Sequence, residues 1–123
     1  MGTVLVVDDS EDLCRAVVAL LKRHGHRAVC VHNGDDALAY LRMARADLVL
    51  LDLSMPGMDG FEVLREIRAN QATSHLPVIV FSALSESRHV TAAREAGADA
   101  YWIKAQFNFD DFKGRVSNYM QEA

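Results

Sequence analysis

Apolar positions along this chain fall into two rhythms. Five short runs, TVLVVDD (3–9), RAVCVH (27–32), ADLVLLDL (46–53), LPVIVFSA (76–83) and AYWIK (100–104), are nearly continuous in β-branched and aliphatic residues. That pattern predicts strands buried on both faces. Between the runs, apolar residues recur every three or four positions, as on one side of a helix. In SEDLCRAVVALLKRHG the stripe is Leu13, Val17, Leu20 and Leu21, with Ser10 placed to cap the helix and Gly25 to stop it. NGDDALAYLRMAR aligns Ala37, Leu38 and Leu41, and GFEVLREIRAN (60–70) turns Phe61, Leu64 and Ile67 inward. SESRHVTAAREAG predicts a fourth helix with Ser85 or Ser87 near its cap and Gly97 at its end. NFDDFKGRVSNYMQ predicts a fifth, capped by Asn108, with Phe112, Val116 and Tyr119 or Met120 facing in.

Five strand–helix units imply an α/β fold with a central parallel sheet covered on both sides. Right-handed crossovers and a switch in strand order then place a site outside the carboxyl ends of the strands. No linker, repeat or low-complexity stretch interrupts the pattern, so residues 1–123 read as a single domain with no effector domain.

Composition narrows the function. Half the residues are apolar and 24% are charged, as in a globular domain. A net charge of −4 argues against a nucleic-acid footprint. The apolar runs are far shorter than a membrane span, and the N-terminus lacks a secretory signal. Cys14 and Cys30 are not in a CxxC arrangement and read as small buried hydrophobes, which points to a reducing, cytoplasmic protein.

The polar residues that break the strand pattern all sit at strand ends: Asp8 and Asp9, Asp52, Ser82 and Lys104. In a parallel sheet these ends share one edge, so carboxylates, a hydroxyl and an ammonium should converge. Clustered carboxylates repel unless a cation neutralises them, and few carboxylates with open water positions suit Mg²⁺. A carboxylate beside Mg²⁺ can attack phosphorus, and Ser82 and Lys104 would then surround the phosphoryl oxygens. The set predicts phosphoryl transfer onto an aspartate.

VLVVDDSEDL, DLVLLDLSMPGMDGFEVL, VIVFSA and GADAYWIK together resemble the receiver domain of bacterial two-component response regulators along the whole chain. The resemblance implies a flavodoxin-like (βα)5 fold with strand order 2-1-3-4-5. It makes Asp52 the phosphoacceptor, and Asp8, Asp9, Asp52 and the backbone carbonyl of Ser54 the Mg²⁺ ligands. Ser82 becomes the switch hydroxyl, Lys104 the phosphate contact and Tyr101 the aromatic switch. Pro56, Gly57 and Gly60 could shape the loop that holds the Ser54 carbonyl. The implied partners are a sensor histidine kinase or phosphotransfer protein as donor, and an effector protein. The effector would dock on the surface of the fourth helix, fifth strand and fifth helix. The chain would then be a signalling receiver rather than an enzyme in the ordinary sense.

One departure stands out. The family's usual Lys-Pro is here Lys104-Ala105, and a cis bond before a non-proline costs roughly 2.5–4 kcal/mol. The change bears on where Lys104 is placed, and it motivates an alternative, a pseudo-receiver that binds partners without productive phosphorylation. An aspartyl-phosphate hydrolase is the third reading; it lacks support because Ser54 stands where such enzymes carry a general acid. The resemblance implies that Ser54 and Leu84, two residues beyond Asp52 and Ser82, tune dephosphorylation; neither is an acid, a base or an amide, which implies slow intrinsic loss of a phosphoryl group.

Overall fold

The computed structural model describes residues 2–55 and 57–120, excepting the side chains of residues 109, 110 and 113. In chain order the elements are β1 (Thr3–Val7), α1 (Glu11–Arg23), β2 (Arg27–Val31), α2 (Gly34–Met43) and β3 (Leu48–Leu51). These are followed by α3 (Gly60–Ala69), β4 (Val78–Ser82), α4 (Ser87–Glu95), β5 (Ala100–Ile103) and α5 (Phe109–Ser117). A 3₁₀ turn, Lys104–Gln106, links β5 to the last helix. Every strand pairing is parallel, and the order is β2-β1-β3-β4-β5, the expected flavodoxin-like arrangement.

Period-two alternation within the strands divides the core between two faces. Val4 and Val6 of β1, with Leu48 and Leu50 of β3, pack against Cys14, Val17 and Leu21 of α1 and Phe112 and Val116 of α5. Leu5, Val7, Val49 and Leu51 turn the other way, onto Ala37 of α2 and Val63, Leu64 and Ile67 of α3. A smaller group, Leu53, Val80 and Ala93, continues that second face under α4. Central strands buried on both sides explain why their sequences are nearly unbroken apolar runs. The helices begin where the chain supplies an acceptor: Ser10, Asn33 and Asp59 each accept a backbone N–H from the first turn of the helix that follows. Helix α4 differs from expectation. Its cap position is Glu86, flanked by Ser85 and Ser87, and no side chain accepts a capping bond there.

The ladders also stop earlier than the apolar runs. Asp8, Asp9 and Asp52 lie just past β1 and β3, and Lys104 opens the 3₁₀ turn. Asp8 and Asp52 keep one ladder-like bond each, the Asp8 N–H donating to Val31 O (3.1 Å) and the Asp52 N–H to Val7 O (2.9 Å). Their backbones are thus fixed by the sheet while their side chains lie beyond it.

The cysteine expectation is corrected. Cys14 of α1 and Cys30 of β2 are joined as a disulfide, with Cα atoms 6.1 Å apart, inside the span a bridge requires. Helix α1 packs on β2 with Cys14 on its buried side, and Cys30 points into the same cluster. Cysteine usage therefore no longer argues for a reducing compartment. Among the described residues no helix is long and apolar enough to cross a membrane.

Gly57 and Gly60 act differently in the loop after β3; Pro56 lies outside the described residues. Gly57 takes a left-handed φ of 80°. Gly60 instead permits close approach, since a Cβ there would stand 2.4 Å from the Asp52 carbonyl oxygen and 2.6 Å from Leu53 Cα. The N-terminus of α3 is thereby pressed against the backbone that carries Asp52, and the Gly60 N–H donates to Leu53 O at 3.2 Å. Gly60→Ala should destabilise the protein by about 1–3 kcal/mol, the cost of overpacking, measured by urea unfolding. An effect within about 0.5 kcal/mol, ordinary for an unconstrained surface site, would mean that the contact is slack.

Candidate functional site

Strand order decides which residues meet. Strand β1 leads on to β2 at one side while its neighbour β3 leads on to β4 at the other, so the connections diverge and open a crevice at the carboxyl ends of β1 and β3. Asp8 and Asp52 reach that crevice from adjacent strands, 2% and 5% exposed respectively. Asp9, the next residue, is exposed. One oxygen from each of the three carboxylates falls within 4.8 Å of the others.

Lys104 arrives from the far side of the sheet. Its Nζ donates to Asp8 Oδ2 at 2.8 Å and more weakly to Asp52 Oδ2 at 3.4 Å. The 104–105 peptide is not cis, as no cis bond occurs among the described residues. The turn is held by packing instead. The Phe107 ring lies 4.9 Å from that of Phe81, 5.6 Å from Trp102 and 5.3 Å from Phe112. Lys104 Nζ itself sits 5.9 Å from the Phe81 ring centroid, within cation–π range. Trp102 is buried in this cluster as a core residue.

The electrostatics follow from burial. Desolvation pushes the Asp52 carboxyl above the ordinary carboxylate range; the Ser54 N–H and Lys104 oppose that shift, and the Asp8 charge adds to it. For Lys104, burial opposes the charge, but the Asp8 hydrogen bond and both carboxylate charges outweigh it and leave the ammonium above its usual value. Asp8 is held further by the Ser10 N–H, which donates to Oδ1 at 2.9 Å. Ser54 donates its N–H to Asp52 Oδ1 at 3.2 Å. A hard divalent cation fits this donor set: oxygen ligands, two buried carboxylates with a single lysine between them, and one exposed carboxylate on the solvent side.

Ser82 and Tyr101 meet through a residue between them that the sequence did not single out for contact. Ser82 is fully buried, and its Oγ accepts the Leu84 N–H at 3.2 Å. The Tyr101 hydroxyl, half-buried, donates to Leu84 O at 2.7 Å. Leu84 is thus tied at both its N–H and its carbonyl. A second unforeseen contact is His32, whose Nδ1 lies 3.0 Å from Asp8 O. Strand register carried that signal, because Val7 pairs with Val31 and the residues that follow them must be neighbours. A depression of about 930 Å³ opens at the opposite edge of the sheet, lined in part by Arg42, Asp47, His75 and Asp99, and includes none of these residues.

The family model for the response regulator receiver domain matches residues 4–117. The chain belongs to that family. Curated relatives of this receiver include the transcriptional regulatory protein AfsQ1 of Streptomyces coelicolor, 39% identical over 85% of this chain and 45% of its own length. Protein PilH of Pseudomonas aeruginosa is 34% identical over 85% of this chain and 86% of its own. The receiver thus spans less than half of AfsQ1 but most of PilH. Among solved structures, the Mn²⁺-bound response regulator Rcp1 is similar with a TM-score of 0.87 and 29% identity, covering 100% of this chain and 97% of its own. The BeF3-activated DrrB receiver domain matches at 0.87 and 29% identity, covering 99% of each chain. Receiver domains are signalling modules of two-component systems rather than ordinary enzymes.

A raised Asp52 carboxyl has a consequence for stability without a bound cation. The folded receiver holds that proton more tightly than the unfolded chain does. The group's contribution is therefore fully present below the unfolded value and is lost as pH rises through the folded one. Asp52→Asn, which cannot ionise, should raise Tm by a few degrees at neutral pH and leave it little changed in acid. Thermal melts across pH in chelator check this; a variant that melts lower at neutral pH contradicts it.

Proposed function

We propose that this receiver accepts a phosphoryl group on Asp52 from a histidine kinase or phosphotransfer protein, with Mg²⁺ bound by Asp8, Asp9, Asp52 and the Ser54 carbonyl. The observation that carries the reading is the grouping of three carboxylates with Lys104 across two of them. Bound in that cluster, the cation would neutralise the acids and the charge of the incoming phosphoryl group. An Asp52 oxygen attacks phosphorus, the P–N bond to the donor imidazole breaks, and an acyl phosphate results. Ser54 holds Asp52 Oδ1, which leaves Oδ2, with its long 3.4 Å contact to Lys104, as the oxygen easier to free. Lys104 can turn to the phosphoryl oxygens while retaining Asp8.

The same reading gives the output. When the Ser82 hydroxyl turns to the phosphoryl group, Leu84 loses the acceptor of its N–H, and the Tyr101 bond to its carbonyl is the remaining tie. Release of that tie lets Tyr101 move inward and remodels the α4–β5–α5 surface for an effector protein. The reach of Lys104 despite Ala105 favours this reading over an interaction module that is never phosphorylated. The acidic net charge favours protein contacts over direct nucleic-acid binding by this domain, and action in the cytoplasm is part of the proposal.

Incubation with Mg²⁺ and a small acyl phosphate, followed by intact mass, should add one phosphoryl group to the wild type and none to Asp52→Asn. The adduct should depend on Mg²⁺ and outlast seconds, because neither Ser54 nor Leu84 can activate water. No adduct favours the pseudo-receiver, and turnover of many donor equivalents favours a hydrolase.

A further inference from the structure

Behind the acidic loop, ligand atoms of Cys14, Cys30 and His32 fall within 4.8 Å of one another. Cys14 is buried on α1, Cys30 is half-buried on the edge strand β2, and His32 is exposed just past it. Two of the three converge on a single atom, the carbonyl oxygen of Asp8: His32 Nδ1 at 3.0 Å and Cys14 Sγ at 3.5 Å. A carbonyl only accepts, so His32 must carry its proton on Nδ1, and Cys14 can contribute only as a thiol. In the disulfide that S–H is gone. The Asp8 peptide is then held from the His32 side, while α1 is tied covalently to β2.

We propose that Cys14 and Cys30 are a reversible dithiol–disulfide pair that sets how firmly Asp8 is held, and so the affinity of the acidic cluster for Mg²⁺. This rests on the metal-dependent receiver reading above. The reactant class is a low-molecular-weight disulfide. Cys30, the more accessible sulfur, attacks it as a thiolate; a mixed disulfide forms and one thiolate leaves. Cys14 then attacks the Cys30 sulfur, forming the internal bond and releasing the second thiolate. Two electrons pass from the pair to the oxidant, and the two thiol protons end on the two released thiols. The reverse exchange with a thiol restores the S–H donor to Asp8 O. The reduced form, with Asp8 held from both sides, is the better preorganised for a cation.

The test equilibrates the protein in buffers of reduced and oxidised glutathione, counts free thiols by alkylation and intact mass, and titrates each form with Mg²⁺ by calorimetry. Both thiols should disappear together without retained glutathione. The oxidised form should bind Mg²⁺ roughly three- to tenfold more weakly, about the worth of one hydrogen bond. Cys30→Ser should match the reduced affinity and ignore the oxidant. Thiols that stay free, or Mg²⁺ binding that is equal or tighter after oxidation, overturn the inference and leave the receiver reading standing. A stoichiometric zinc held by the reduced protein and lost in Cys30→Ser overturns it in favour of a metal site. If neither form binds Mg²⁺ or takes up a phosphoryl group, the receiver reading fails and the inference falls with it, even if the thiols titrate as a pair.

Discussion

Asp8 and Asp52 bury two carboxylates side by side at the ends of adjacent strands, and the surrounding structure is organised around keeping that tolerable. Unpaired charge at such depth costs several kcal/mol, so a countercharge must be supplied. Lys104 supplies it from the turn that follows β5, a strand three interstrand steps from β1, about 14 Å along the sheet. A lysine side chain is shorter than that span, so the placement of the turn that carries it decides whether it reaches. The aromatic packing of Phe107 against Phe81, Trp102 and Phe112 serves as the anchor where a proline would otherwise shape the chain. One lysine cannot fully balance two buried acids and an exposed third. The residual negative charge suits a cation, and burial leaves the Asp52 carboxylate poorly solvated.

Around this centre the loops carry little slack. Gly60 lets α3 touch the Asp52 backbone, Ser10 and Ser54 each direct an N–H at one carboxylate, and Leu84 is bound at both its polar atoms. A change of charge at Asp52 therefore meets a set of short, directional contacts. The Ser82–Leu84–Tyr101 chain of hydrogen bonds ties the end of β4 to β5.

Much of this was legible in the sequence, for physical reasons that differ by residue. The five apolar runs had to be strands buried on both faces, and in a parallel sheet their polar ends had to share an edge, so Asp8, Asp9, Asp52 and Lys104 could be grouped from the pattern alone. Pairings set by side-chain direction were not legible. Nothing in the spacing of Cys14 and Cys30 says that α1 turns one sulfur onto the other. The role of Phe107 was hidden because it depends on three rings from three elements. His32 lay in between: its contact with Asp8 follows from strand register, which a sequence gives only once the pairing order is assumed.

The Lys104–Asp8 pair joins residues 96 positions apart, and Lys104–Asp52 joins residues 52 apart. Closing contacts of such separation carries a large loop-entropy cost, a feature that slows folding. No fragment of the chain can hold the site, since its first and last strands both contribute to it. The dependence also runs in the other direction. Strand β5 is an edge, paired on one side only, so local opening there would withdraw the lysine while the central strands stay intact. A site that depends on this lysine would be lost by fraying of β5 before the core melts, and its competence would report the completeness of the fold to the last strand.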